Sequence, residues 1–433
     1  MSSIIASESG RLEGSIRVPG DKSVSHRAVM LGAIAVGESK IQRLLEGEDV
    51  LATVAAFRAM GVEMSGPCGG SLEIQGVGLN GLTKPASPLD MGNSGTAMRL
   101  LAGLLAGQAF PATLTGDISL RQRPMERIIT PLSRMGADLG TTGGKPPLTI
   151  NPVSRLQGIS YQLPMASAQV KSSILLAGLY AKGSTQIRES TPTRDHTERM
   201  IAGFTGRSWE QGNPIRVDSG LILRGQKITV PGDISSAAFF LVAATLCPGS
   251  EVTLCGIGIN PTRAAVLEIL NLMGANIEIC DQRQESGEPL CDLRVRSQRL
   301  KGIDVPRDLV ANAIDEFPVL AIAAAGADGT TRIRGATELR FKESDRINVV
   351  VQGLGNLGIN AIEYEDGMDI IGGEFRSGTI DSRGDHRIAM AFAVAGCCSG
   401  GSVVVDDCRN IATSFPGFVE TGCSLGMNLV EKL

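Results

Sequence analysis

The segment VPGDKSVSHRAVMLGAIAVGES, from Val18 to Ser39, decides the fold because a related segment begins at Val230. That second copy, VPGDISSAAFFLVAATLCPGS, repeats the opening VPGD and continues with a similar run of small apolar residues. The two copies lie about half the chain apart, as an internal duplication would place them. The sequence therefore predicts two related halves with a seam near Val230.

Four looser copies of this segment begin at Gly92, Pro164, Ile314 and Gly384. Each starts with polar residues or glycine and continues with an apolar run long enough for a buried helix. A glycine-containing turn and a β-type run follow, such as TRIRG from Thr331. The sequence therefore predicts an α/β fold of six units, three in each half.

A glycine after a hydrophobic helix end recurs at a nearly constant distance from each repeat start. The positions are Gly61, Gly136, Gly206, Gly274, Gly358 and Gly426. Glycine is preferred there because the residue after a helix often adopts the left-handed conformation. The stretch GLGNLG, ending at Gly358, matches the dinucleotide fingerprint, but that fingerprint must open a helix, whereas this one closes it. We therefore predict a helix end rather than a nucleotide site.

Composition limits the classes of function. The chain has 433 residues and a net charge of −4, and only 3% of its residues are aromatic, which argues against nucleic acid and anionic membranes as partners. No apolar run approaches the ~20 residues of a membrane span, and the N-terminus lacks the features of a secretory signal. The nine cysteines contain no C-x-x-C pair. We expect reduced core cysteines in a cytoplasmic protein.

Polar and charged residues gather where the apolar helices should begin. They are Lys22, Ser23, His26 and Arg27; Asn93, Ser94 and Thr96; Ser167, Gln169 and Lys171; Asp315 and Glu316; and His386 and Arg387. A helix N-terminus attracts anions, and a bound anion would offset the repulsion between cations and the helix dipole. The pattern predicts anion binding, although Ser23, Asn93 or Ser167 taken alone is equally typical of an N-cap.

Further cations lie in predicted loops. Arg121, Arg123 and Arg127 belong to RQRPMER, and Arg194 and Arg199 belong to TPTRDHTER. In KESDR, Lys342, Glu343 and Arg346 interleave two cations with an acid, a pattern that favours anion binding beside a proton-transfer group. The three histidines show no H-x-x-x-H spacing, so we predict no metal site.

The chain resembles the 5-enolpyruvylshikimate-3-phosphate synthase family, in its class II branch, throughout its length. The matching motifs are GDKS at Gly20, GNSGTAMR at Gly92, RPM at Arg123, SAQVK at Ser167, RDHTE at Arg194, NPTR at Asn260, DEFPVLA at Asp315, KESDR at Lys342 and DHRIAM at Asp385. The resemblance implies two inside-out α/β barrels built from six βαβαββ repeats. One domain would span residues 20–230, and the other would combine residues 1–19 with 231–433.

The resemblance also implies a reaction: transfer of the enolpyruvyl group of phosphoenolpyruvate to the 5-hydroxyl of shikimate 3-phosphate, with release of phosphate. It implies no metal or organic cofactor, no partner beyond these substrates, and a cytoplasmic monomer. Shikimate 3-phosphate would be bound by Lys22, Ser23, Arg27, Ser167, Ala168, Gln169, Arg194, Asp315 and Lys342. Phosphoenolpyruvate would be bound by Lys22, Asn93, Gly95, Arg123, Gln169, Arg346 and Arg387.

The resemblance gives three residues catalytic roles: Asp315 takes the proton of the attacking hydroxyl, and Glu343, assisted by Lys22, protonates the methylene carbon. It also implies tolerance of glyphosate, since Thr413 in ATSFP stands where class I sequences have a lysine. Gly95 is a contrary sign, because some tolerant enzymes carry an alanine there.

Two alternatives remain. The sister enzyme acting on UDP-N-acetylglucosamine shares the implied fold, but its mobile-loop cysteine has no counterpart near RQRPMER, where the closest cysteine is Cys68. The other is a non-catalytic anion-binding protein, against which the intact Lys22, Asp315 and Glu343 argue.

Overall fold

Helices and strands alternate along the chain in the computed structural model, which describes residues 2–207 and 212–432. The helices are α1 Lys22–Ala33, α2 Glu48–Ala59, α3 Gly95–Leu105, α4 Glu126–Arg134, α5 Ala168–Gly178, α6 His196–Thr205, α7 Ile234–Leu246, α8 Ala265–Leu272, α9 Arg307–Val310, α10 Phe317–Ala325, α11 Arg346–Asn356, α12 His386–Cys397 and α13 Phe418–Ser424. The strands are β1 Ser3–Ser7, β2 Glu13–Ile16, β3 Val36–Gln42, β4 Glu63–Cys68, β5 Ser71–Val77, β6 Leu89–Asp90, β7 Ala112–Thr115, β8 Asp138–Thr142, β9 Lys145–Asn151, β10 Ser160–Gln162, β11 Ser184–Arg188, β12 Ile215–Asp218, β13 Lys227–Thr229, β14 Glu251–Gly258, β15 Asn276–Glu285, β16 Glu288–Arg296, β17 Thr330–Ile333, β18 Ala361–Tyr364, β19 Gly367–Ile371, β20 Gly378–Asp381, β21 Ser402–Asp406 and β22 Asn428–Lys432.

The chain divides into two compact units. The first unit takes Gly20–Val230 together with Glu285–Glu288, and the second takes the chain up to Pro19, Pro231–Gln284 and everything from Pro289 onward. Glu285–Glu288 is the turn region between β15 and β16, and it groups with the first unit although it lies in the second half of the sequence.

Each unit contains three separate sheets. In the first unit the strand orders are β13-β3-β5-β4, β6-β7-β9-β8 and β10-β11-β12. In the second unit they are β15-β16-β14-β2, β17-β19-β18 and β20-β21-β1-β22. Most sheets combine one parallel pair, such as β13 with β3 or β20 with β21, with antiparallel pairs. The fold is therefore mixed α/β.

The core of each unit is built on helices that are buried on almost every side. In the second unit α7, α10 and α12 pack against one another, and every residue of α10 is buried. In the first unit α3 packs against α5 and α1. Gly103 allows the close approach of α3 to α5, because an added Cβ would lie 2.1 Å from the Ser173 carbonyl oxygen. Helices buried all round place only their ends within reach of a ligand.

The six repeated glycines follow α2, α4, α6, α8, α11 and α13, with φ angles between 67° and 98°. The prediction of left-handed helix ends is confirmed, and Gly358 closes α11 rather than opening a nucleotide loop. All nine cysteines are free thiols within the described residues, but Cys68 and Cys423 are exposed. The expectation of core cysteines was wrong for these two, which lie in the edge strand β4 and in the short helix α13, and three others, Cys255, Cys280 and Cys398, are only partly buried. No helix in the described ranges is long and apolar enough to cross a membrane.

Candidate active site

Two of the three N-cap candidates of the first unit do not cap their helices. The Asp21 carboxylate accepts the Val24 N–H of α1 at 2.9 Å, and the Ser94 hydroxyl accepts the Ala97 N–H of α3 at 3.1 Å. The N-cap interpretation was therefore wrong for Ser23 and Asn93, whose side chains are not needed as caps. It was right for Ser167, which caps α5 directly before Ala168.

Arg27, on α1, is almost fully buried and donates to three neutral oxygens. Its Nε lies 2.7 Å from Thr197 Oγ1, one terminal nitrogen 2.7 Å from Ser172 Oγ, and the other 2.9 Å from the Ser23 carbonyl oxygen. Burial lowers the pKa of the Arg27 guanidinium to about 10, an effect that Glu198 opposes and Arg194 reinforces. A buried cation among neutral acceptors gains from an added anion.

A second guanidinium of this unit, that of Arg123, lies beside the start of α3. It donates to Asn93 Oδ1 at 2.6 Å, and the Asn93 amide nitrogen in turn donates to Asp117 at 2.6 Å. Gly95 faces the same group, because a Cβ there would lie 3.1 Å from the terminal nitrogens of both Arg123 and Arg99. Three of the residues predicted to bind phosphoenolpyruvate, Asn93, Gly95 and Arg123, thus come together.

Gln169, on α5, is connected to α3. Its side-chain oxygen accepts from Arg99 at 2.5 Å, and its amide nitrogen donates to the Thr96 hydroxyl at 2.9 Å. Arg99 therefore lies between Gly95 and Gln169. Its only sequence signal was its place at the end of the GNSGTAMR motif.

Lys22, the first residue of α1, forms an ion pair with Asp49 in the first turn of α2. Asp49 was not among the predicted site residues, because it lies between the repeated motifs. A carboxylate at a helix N-terminus is a common feature, so its residue type alone carries no functional signal.

The second unit places Arg346 at the centre of three carboxylates. The Arg346 side chain is 1% exposed; its Nε lies 2.8 Å from Asp385, a terminal nitrogen lies 2.7 Å from Glu343, and another lies 3.6 Å from Asp315. Burial would lower the pKa of Arg346, but Asp385, Glu343 and Asp315 outweigh it and raise that pKa. Burial would likewise raise the pKa of Asp385, yet Arg346 outweighs it, and the net shift is downward.

Asp315 lies just before α10 and has cations on more than one side. Lys342 Nζ is 3.0 Å from Asp315 Oδ1, and Arg387 donates to the Asp315 backbone carbonyl at 3.0 Å. Arg387 also lies 3.5 Å from Glu316, a carboxylate that accepts from Ser235 at the start of α7. The KESDR, DEF and DHR motifs therefore meet in the second unit.

Asp385 was the main omission among the predicted site residues of this unit. It caps α12 by accepting the Arg387 N–H at 2.9 Å, and it also accepts the Ser344 hydroxyl at 3.1 Å. His386, the next residue, is buried beside it. The signal was available, because an Asp directly before an apolar run is a typical N-cap. In the parts of the chain that the structure describes, no three His, Cys, Asp or Glu side chains lie close enough together to hold a metal ion.

Guanidinium and ammonium groups beside carboxylates, grouped near helix starts of an α/β fold, are typical of the class of enzymes that act on small anionic substrates. Comparison with known proteins gives the family. The family model of EPSP synthase (3-phosphoshikimate 1-carboxyvinyltransferase) matches residues 6–421, and the chain belongs to this family.

Similar proteins match over nearly the whole chain. The 3-phosphoshikimate 1-carboxyvinyltransferase of Methylococcus capsulatus is 57% identical over 425 residues, which cover 98% of this chain and 97% of that one. The Legionella pneumophila (Philadelphia 1) protein of the same name is 52% identical over 431 residues, 100% of each chain. The solved EPSP synthase of Acinetobacter baumannii aligns with a TM-score of 0.90 at 50% identity and covers 100% of both chains. The family expected from the motifs is confirmed.

Proposed function

We propose that this chain transfers the enolpyruvyl group of phosphoenolpyruvate to the 5-hydroxyl of shikimate 3-phosphate and releases phosphate, a step of the shikimate pathway towards aromatic amino acids. Membership of the EPSP synthase family over residues 6–421 carries this proposal. The carboxylates and cations around Arg346 supply the groups that such a reaction needs.

We assign shikimate 3-phosphate to the cations nearest Arg27. Arg27, Lys22 and Arg194 would bind its phosphate and carboxylate, as cations commonly bind such groups. Lys342 and Asp315 would complete the set. The remaining contacts would be made by Ser23, Ser167, Ala168 and Gln169.

We assign phosphoenolpyruvate to the guanidinium groups of Arg123, Arg346 and Arg387 and to the ammonium group of Lys22. Asn93, Gly95 and Gln169 would contribute polar and backbone contacts. Both substrates are anions, and fixed cations lower the barrier to bringing them together by positioning and electrostatics.

Asp315 acts as the general base in this proposal. The cations beside it, Lys342 at 3.0 Å and Arg346 at 3.6 Å, favour the ionised form that accepts a proton from the attacking hydroxyl. Glu343, with Lys22 assisting, donates a proton to the methylene carbon of phosphoenolpyruvate. The oxygen adds to the neighbouring carbon, and the adduct then loses phosphate and the added proton to restore the double bond.

The same proposal extends to architecture and setting. We propose that the six sheets and their helices represent six βαβαββ repeats arranged as two inside-out barrels, one for residues 20–230 and one for 1–19 with 231–433. The enzyme would work as a cytoplasmic monomer, without a metal or an organic cofactor. Size-exclusion chromatography with light scattering tests the monomer, and activity after dialysis against a chelator tests the absence of a metal.

An assay of phosphate release tests the reaction. We expect release that requires both phosphoenolpyruvate and shikimate 3-phosphate. Release with UDP-N-acetylglucosamine in place of shikimate 3-phosphate would assign the sister activity instead. Binding of shikimate 3-phosphate without any release would indicate a non-catalytic anion-binding protein.

A further inference from the structure

Lys171 is a buried cation outside the sets assigned above. It lies in the first turns of α5, and its side chain is 1% exposed. Its Nζ is 2.9 Å from Glu189 Oε2 and 2.8 Å from Glu198 Oε1, and both carboxylates are themselves almost fully buried. Burial raises the pKa of Glu198, an effect that Lys171 opposes. Such a cluster is costly to bury and weak as a source of stability, so it calls for another explanation.

The cluster connects Lys171 to a loop that lacks regular structure. Glu189 follows β11, and Glu198 lies in the first turn of α6. Between them, the Thr193 carbonyl oxygen accepts a third hydrogen bond from Lys171 at 3.1 Å, and the Thr193 hydroxyl donates to Glu189. One ammonium group therefore fixes the loop at both of its ends and at Thr193, the residue directly before Arg194.

We propose that Lys171 is a positioning residue for shikimate 3-phosphate binding: it fixes the loop from Glu189 to Thr193 and thereby holds Arg194 in its binding position. The inference rests on the proposed function, which assigns Arg194 to that substrate. Because the backbone at Thr193 is fixed, the Arg194 side chain that follows it can reach fewer positions. Less conformational entropy is therefore lost when the Arg194 guanidinium binds the substrate. Arg194 is also close enough to lower the pKa of Arg27, consistent with two cations directed at one anionic group.

The test is a double-mutant cycle read by calorimetric binding of shikimate 3-phosphate without phosphoenolpyruvate. We expect Lys171→Met to weaken this binding by about 10-fold or more while leaving the KM for phosphoenolpyruvate nearly unchanged. In an Arg194→Ala background, the same change should weaken binding only slightly further, because the residue that Lys171 positions is already gone. Lys182→Met removes an exposed lysine of the same unit and should bind like the wild type.

A full Lys171→Met effect in both backgrounds, or no effect in either, would overturn the inference. If Arg194→Ala alone binds shikimate 3-phosphate like the wild type, Arg194 does not bind that substrate. Both the assignment of Arg194 and this inference are then wrong. Wild-type binding by Lys171→Met with weakened binding by Arg194→Ala would overturn the inference alone.

A third variant separates positioning from stability. Lys171→Met combined with Glu189→Gln and Glu198→Gln removes the two carboxylates that the single change leaves without their lysine. We expect this triple variant to recover the wild-type melting temperature but to keep the weakened binding of shikimate 3-phosphate. If it also regains wild-type affinity, charge balance rather than loop positioning explains Lys171, and the proposal is wrong.

Discussion

Arg27, in the second turn of α1 in the first unit, and Arg346, the first residue of α11 in the second, are similarly buried, yet their hydrogen-bond acceptors differ in charge. Arg27 donates to two hydroxyls and a carbonyl, and the pKa of its guanidinium is lowered. Arg346 lies among three carboxylates, and the pKa of its guanidinium is raised. The hydrogen-bond acceptors of Arg27 are neutral, whereas the carboxylates around Arg346 stabilise its charge. In the proposed function, Arg27 would serve anion binding, whereas the carboxylates around Arg346 would serve acid–base chemistry.

The largest effect is expected from removing charge around Arg346. Asp315→Asn and Glu343→Gln should each lower turnover by two or more orders of magnitude, because general acid–base catalysis typically contributes about 10²–10⁴ in rate. Steady-state phosphate release measures the loss, and thermal melting checks that the fold survives. Glu374→Gln, an exposed carboxylate of the same unit, is the matched control and should keep full activity. Near-wild-type turnover with unchanged melting would remove the role assigned to that residue.

The next effect concerns stability. Arg346→Met leaves the fully buried Asp385 without its cation, which should cost roughly 3–5 kcal/mol of unfolding free energy. Arg27→Met removes the donor of three neutral acceptors, and the nearby Glu198 keeps its ion pair with Lys171, so its cost should be smaller, about 1–3 kcal/mol. Denaturant unfolding of the two variants side by side gives both values. If Arg27→Met proves as destabilising as Arg346→Met, the charge of the hydrogen-bond partners does not determine how much each arginine contributes to stability.

A smaller, pH-dependent effect is expected at His26, next to Arg27. Burial, with Lys22 and Arg27 adding to it, lowers the pKa of His26 well below its ordinary value. Burial and the two cations therefore keep the ring neutral in the folded state, with its Nδ1 2.8 Å from the Thr53 hydroxyl. In the unfolded chain His26 binds a proton near pH 6.5, whereas in the folded chain it stays neutral at that pH. The free energy of unfolding should therefore fall as the pH drops below about 6.5, by at most ~1.4 kcal/mol per pH unit.

His26→Gln isolates this contribution, because glutamine can still bond Thr53 but does not titrate. Unfolding free energies between pH 7 and pH 5 should fall less steeply for the variant than for the wild type. Parallel profiles for the two proteins would mean that His26 is protonated equally in the folded and unfolded states.

Repeats and helix ends could be predicted from the sequence because they depend on local chemistry. The VPGD segments start α1 and α7, and the six glycines follow their helices, since helix termination is decided by neighbouring residues. Partners from distant segments could not be predicted. Asp49 pairs with Lys22 and Glu189 with Lys171, yet nothing in the local sequence singles out these two acids. Glu198 ends the RDHTE motif, but that motif does not indicate its pairing with Lys171. Such contacts are set by packing between helices, which a repeat pattern does not specify.

Glyphosate, an anion that competes with phosphoenolpyruvate, gives the smallest expected effects. Thr413 donates to the Asn410 carbonyl at 2.7 Å, and Asn410 in turn donates to the Gly384 carbonyl at 2.6 Å. Thr413 therefore lies in a turn bonded to the residue before the cap of α12, the helix that carries Arg387. The lysine of class I sequences would add a cation near that helix start, and its absence favours tolerance. We expect the inhibition constant of glyphosate, measured against varied phosphoenolpyruvate, to exceed the KM of that substrate; a value well below the KM would refute tolerance.

Gly95→Ala tests whether space at the start of α3 matters. The sequence-based expectation was that Gly95 leaves room for the inhibitor, but the room is narrow, because a Cβ would lie 3.1 Å from the terminal nitrogens of Arg123 and Arg99. The methyl should displace these guanidinium groups by a few tenths of an ångström, which weakens phosphoenolpyruvate and glyphosate together. The ratio of the inhibition constant to the KM should therefore change only slightly, although both constants rise. Gly203→Ala, in α6 of the same unit, adds the same methyl where no atom lies within 4 Å and should alter neither constant. A large rise in the ratio for Gly95→Ala alone would show that the inhibitor uses space that phosphoenolpyruvate does not.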